Sequence, residues 1–214
     1  MMFRLALIMC ITVAPLVTSA RDLPLQVVAA GTGEPLPDTV VFLPRPWQAE
    51  VSTATVEQEN RQFVPHVLVI PPDTSVNFPN RDNTQHHVYS FSPVKTFEIE
   101  LYAGTPEAPV HFDATGVVEL GCNIHDHMQG FILVTDRMHA VTDAQGRVTL
   151  SWHDDRPVPG QLRAWHPRLS QNSEPALVTV TAPADGPLTL TLEVEPAAQT
   201  DSSLQRLQQR FREL

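Results

Sequence analysis

Residues 121–130 read GCNIHDHMQG. One cysteine, two histidines and one methionine stand at Cys122, His125, His127 and Met128. The run before the cysteine, GVVEL, and the run after the second glycine, FILVTD, are dominated by β-branched and large apolar residues. Such runs read as strands, so the stretch is a tight loop between an incoming and an outgoing strand. A loop of that kind can direct Cys122, His125 and Met128 at one ion. Thiolate, imidazole and thioether are soft-to-borderline metal ligands. A fourth ligand has to come from elsewhere in the fold and lie beside the loop. The segment QHHVYSF, with His86 and His87, follows a strand expected near residues 75–79 and suits that position.

Moving outward, the chain has 20 Pro in 214 residues, and helical periodicity is nearly missing before residue 200. Short runs such as HVLVIPP, TFEIELY, GRVTLSW and LTLTLEV alternate with turn residues. That pattern predicts an all-β protein of sandwich type. The length exceeds one small sandwich, so two β modules are expected. The segment DSSLQRLQQRFREL, from Asp201, places Leu204, Leu207, Phe211 and Leu214 at helix-like intervals. It predicts a short C-terminal amphipathic helix over 200–214.

Residues 1–20 have the layout of a secretory signal: one early Arg, an apolar run, then Thr18, Ser19 and Ala20. The apolar run is short for a membrane span, which needs about 20 residues. No later segment is apolar enough to insert stably. Cleavage after Ala20 removes Cys10 and leaves Cys122 as a lone thiol in a disulfide-permissive compartment, expected to be the periplasm. A metal that holds it as thiolate gives such a cysteine a purpose. The formal charge of −10 argues against nucleic acid and anionic membranes, and mildly for soluble, basic partners.

The ligand order resembles the cupredoxin family, in particular its amicyanin and plastocyanin branch. Those proteins carry a histidine in an HNV-like segment and then a C-x2-H-x(2–4)-M loop. The corresponding residues here are His86-His87-Val88 and Cys122 to Met128. The resemblance covers 56–136 and implies a Greek-key β-sandwich holding one type 1 (blue) copper ion. Its implied ligands are His86, Cys122, His125 and Met128, with His87 in the place of the usual Asn. The wider layout is similar to periplasmic cupredoxin-like proteins labelled as methylamine-utilisation proteins. Residues 139–195 resemble a transthyretin-like, carboxypeptidase-regulatory-like β module, and residues 22–48 carry a first-strand pattern that can join it. The family implies electron transfer, with His125 near an apolar surface patch to which Ile124, Met128 and Phe131 contribute. The partner would be a redox protein such as a c-type cytochrome or an oxidoreductase.

Alternatives stay open on the residues alone. His87 competes with His86, and His127 with Met128. Copper storage or delivery without electron transfer needs the same ligands. Zinc accepts one Cys and two His but leaves Met128 without a purpose. A Cys122–His125 nucleophile would need an orienting group and an oxyanion hole that the sequence does not display. The chain therefore reads as a binding protein and not an enzyme. His66 reads as structural, and His111, His139, His153 and His166 as surface or loop residues. Tyr89, Phe91, Phe97 and Tyr102 are expected to pack around the central module. The sequence leaves the oligomeric state and the redox partner open.

Overall fold

The computed structural model describes residues 21–47, 49–50, 53–153, 157, 160–180 and 188–197. These form strands and turns, with no helix among them. Residues 1–20 and the expected C-terminal helix at 200–214 lie outside the described residues.

Two sheets and a hairpin make the central unit. The larger sheet has the order β6 (Val67–Ile70), β12 (Gln129–Val134), β11 (Gly116–Gly121), β8 (His86–Ser90), β9 (Phe97–Tyr102). The smaller has β10 (Val110–Phe112), β7 (Thr74–Asn77) and β3 (Thr53–Thr55). The hairpin is β4 (Glu57–Glu59) with β5 (Gln62–Val64). Parallel pairings of β6 with β12 and of β3 with β7 sit among antiparallel ones. Between the sheets lies a core that includes Val76, Phe78, Phe112, Val118, Leu120 and Ile132. Cys122 and Met128 belong to the same core. The central unit is thus a cupredoxin-like β-sandwich, and the loop from Cys122 to Met128 leaves from its larger sheet.

A second sandwich is built from both ends of the described chain. One sheet has the order β14 (Arg147–Trp152), β1 (Arg21–Ala29), β17 (Leu188–Leu192). The other has β13 (Arg137–Val141), β2 (Val40–Pro46), β15 (Gln161–Trp165), β16 (Ala176–Thr179). Strands from 21–46 therefore share sheets with strands from 137–192, and the central unit lies between them in the chain. Leu25, Leu43, Leu150, Trp152 and Leu190 are in its core.

Strand β12 of the larger sheet is buried on both faces, and its alternation shows how. Ile132 and Val134 face the sandwich core, whereas Phe131 and Leu133 pack with Val40, Phe42 and Trp165 of the second unit. Double-sided burial explains why FILV is a continuous apolar run. Phe131 is accordingly not part of a surface patch. It is 1% exposed, and its ring meets Trp165 edge-on at 5.1 Å.

His166 is another departure from expectation. It is buried beside that junction, and its Nδ1 accepts the Arg168 amide at 3.1 Å. Desolvation, and then the Arg168 charge, push its pKa down to about 4. The unfolded chain therefore binds a proton that the folded chain refuses between pH 6.5 and about 4. His166 contributes stability above that window, and the contribution is lost as pH falls through it. Denaturant unfolding between pH 7 and 4 should show stability falling with acid, with a shallower slope in His166→Gln.

Candidate metal centre

β11 ends at Gly121, and Cys122 is the first residue beyond it. Along that strand Val118, Leu120 and Cys122 alternate into the sandwich core. This period of two aims the thiol inward. The loop then turns tightly, with the Met128 amide donating to the His125 carbonyl at 2.8 Å. β12 begins at the next residue and pairs back along β11, Leu120 opposite Gly130.

The two glycines that frame the loop are required by what lies over them. A Cβ on Gly121 would fall 2.6 Å from Cζ of Tyr89, and one on Gly130 would fall 2.8 Å from Cβ of Phe63. Gly121→Ala must displace the Tyr89 ring, which lies on the face of the sheet opposite the Cys122 thiol. Overpacking of this kind costs about 1–3 kcal/mol, and a thermal melt of the metal-free variant should show that loss.

The histidine comes from the neighbouring strand β8. His86 and Val88 face the sandwich, and a register shift against β9 falls between them. His86 is fully buried, with Nδ1 3.9 Å from Cys122 Sγ. His125 reaches the same sulfur with its Nδ1 at 3.8 Å. Ligand atoms of His86, Cys122 and His125 all lie within 4.8 Å of one another. His87 lies on the opposite face of β8. Its Nε2 is 2.8 Å from Glu98, and its ring stacks near Tyr89 at 5.5 Å. His87 is therefore not placed at the cysteine.

Met128 is 2% exposed and packs in the same apolar cluster as Cys122. His127 is exposed and lines a separate cleft with Gln62, Phe63, His66 and Gln129. Its ring stands 6.2 Å from that of His125. Ile124, at 48% exposure, is an apolar side chain available to solvent beside the centre, whereas Met128 is not. Phe91, expected to pack on the module, instead projects at 80% exposure, its ring tilted against that of Tyr89 at 5.0 Å.

Sequence reasoning passed over Asp82. Its carboxylate stands 2.7 Å from His86 Nε2, on the far side of the ring from Cys122. Burial raises its pKa, but the Arg61 amide, His86 and the Asn60 amide outweigh it and hold the group below the usual carboxylate value. Desolvation, and then the neighbouring His86, lower the pKa of His125, which favours the neutral imidazole that a metal needs.

The spacing of the donors tests whether they fit an ion. Metal–sulfur and metal–nitrogen bonds of about 2.3 and 2.05 Å place the two donors about 3.8 Å apart at a trigonal angle, and about 3.6 Å apart at a tetrahedral one. The observed 3.8 and 3.9 Å leave the sulfur and each nitrogen within reach of one shared ion. One Cys and two His, with Met128 in the same core cluster, fit the soft donor set of type 1 copper, whereas zinc would leave the thioether without a purpose.

No protein-family model matches the chain, and no curated protein matches it. Solved structures do. A purple cupredoxin from Nitrosopumilus maritimus is 21% identical, covering 38% of this chain and 99% of that one, with a TM-score of 0.35. A mutant amicyanin in its reduced form is 15% identical over 46% of this chain and 99% of that one, with a TM-score of 0.36. A copper-containing nitrite reductase from Thermus scotoductus is 26% identical over 50% of this chain, but only 25% of that one, with a TM-score of 0.36.

Proposed function

We propose that the protein is a type 1 copper protein that carries single electrons between redox partners in the periplasm. The observation that carries this reading is the convergence of His86 Nδ1 and His125 Nδ1 on Cys122 Sγ, at 3.9 and 3.8 Å, with all three donors within 4.8 Å of one another. His86, Cys122 and His125 would hold the ion, with Met128 beside them as the weak fourth ligand. Bound copper supplies one-electron redox chemistry, and a thiolate with a weak axial donor sets its potential.

The chain's own part is to keep the donors where they are. Cys122 and Met128 are fixed in a packed core, His86 is held by a strand, and the Met128–His125 backbone bond closes the loop. Such a frame needs little rearrangement between oxidation states. His125, partly exposed beside Ile124, is the natural point of approach for a partner. The formal charge of −10 favours a basic one, such as a c-type cytochrome or an oxidoreductase. The signal-like layout of residues 1–20 supports export to the periplasm.

Protein-film voltammetry of the copper-loaded chain tests the function. The expected result is a reversible wave of one electron per chain with fast exchange at the electrode. A sluggish, irreversible response, with Cu(I) passed readily to a chelator, would favour copper storage or delivery instead.

A further inference from the structure

We propose that Asp82 is a positioning residue: clamped by the tip of the β4–β5 hairpin, its carboxylate holds His86 in the tautomer that presents Nδ1 to the metal centre. This rests on the copper reading above and adds to it a residue outside the ligand set.

A carboxylate only accepts hydrogen bonds, so the 2.7 Å contact with Asp82 Oδ2 requires the proton of His86 to sit on Nε2. The Nδ1 lone pair is then left facing Cys122, 3.9 Å away. The bond cannot easily swing, because His86 has no exposed surface and the Asp82 side chain has little, at 13%.

Asp82 is itself held from two sides. The hairpin turns at Asn60 and Arg61, whose φ values of 54° and 59° are those of a two-residue type I′ turn. Both turn amides donate to the carboxylate: Asn60 to Oδ1 at 2.7 Å and Arg61 to Oδ2 at 2.9 Å. Behind it, the Asp82 amide donates to Asn80 Oδ1 at 2.9 Å, and Asn80 Nδ2 donates to the Thr84 carbonyl at 2.8 Å. An Arg at positive φ in such a turn is unusual for a bulky residue. Here the turn keeps its shape by packing two N–H groups onto the carboxylate.

A carboxylate on the distal nitrogen makes an imidazole a stronger donor and fixes its orientation. It therefore favours the more highly charged Cu(II) and lowers the potential. Asparagine at 82 would turn an NH2 toward one of these N–H donors and remove the negative charge.

The test uses the full chain with Asp82→Asn, beside Glu57→Gln, which loosens the exposed pair between Glu57 of the hairpin and Arg81 without altering Asp82 itself. Nitrogen NMR of the metal-free wild type reads the His86 tautomer directly, and the expected result is a proton on Nε2. In the copper-loaded forms, Asp82→Asn should hold copper about 10–100-fold less tightly and have a higher potential. Glu57→Gln should match the wild type in both. A metal-free His86 protonated on Nδ1 would overturn the proposal even if Asp82→Asn fails to fold. So would an Asp82→Asn variant with wild-type potential and copper retention. A wild type that takes up no copper would instead be the failure of the copper reading, while the tautomer would still report whether Asp82 orients His86.

Discussion

A Cys122→Ala chain should lose the copper chromophore entirely while its metal-free fold is barely disturbed. The thiol is 4% exposed and sits in the wall of the sandwich core, where a free cysteine packs as a small apolar side chain. Shortening it to alanine should cost the metal-free protein no more than about 1 kcal/mol. The consequence for the metal is of another order. Two imidazole nitrogens remain, with no anion between them and no thiolate for charge transfer. In the wild type, a ligand at a thousandfold excess over its Kd stabilises the folded state by about 4 kcal/mol. The variant should show none of that gain. Paired thermal melts with and without Cu(II), read beside the visible spectrum, check both halves. A variant that keeps the wild-type copper-induced rise in Tm would remove Cys122 from the ligand set.

Trp165→Ala should produce the largest loss of stability, about 3–5 kcal/mol. The side chain is fully buried where the two sandwiches meet. It stacks edge-on against Phe131 of β12, and its Nε1 donates to the Asn172 carbonyl at 2.6 Å. Removing the ring leaves a cavity against a strand that starts one residue after Met128, and it leaves the Asn172 carbonyl without that donor. Chemical denaturation monitored by tryptophan fluorescence and far-ultraviolet circular dichroism gives the change in midpoint. A midpoint within experimental error of the wild type would mean that the two units do not stabilise each other through this contact.

The all-β class was readable because strand-forming runs and turn residues alternate along most of the chain. The loop was readable for a sharper reason: Cys122, His125 and Met128 are close in sequence, and their chemistry is shared by few other functions. Choosing His86 over His87 was harder, because adjacent residues on a strand point to opposite faces and only the registration of β8 decides which faces the sulfur. Asp82 escaped notice because its role depends on the β4–β5 hairpin. That hairpin turns at Asn60-Arg61, without the Asn-Gly that would announce a type I′ turn. Phe131 was misplaced because a continuous apolar run can mean an exposed patch or a strand covered on both faces. The partner surface is Trp165, which lies far along the chain. Phe91 reads as core by composition, yet its position just past the end of β8 leaves it in solvent.

The central claim is that one copper ion is bound by Cys122 thiolate in a trigonal set with His86 and His125. The most direct measurement is the electron paramagnetic resonance spectrum of the Cu(II)-loaded protein, with its visible absorption taken on the same sample. A narrow parallel hyperfine splitting with an intense thiolate-to-copper band is the predicted result. A wide splitting with no such band would place Cu(II) in an ordinary tetragonal nitrogen and oxygen environment and would contradict the account.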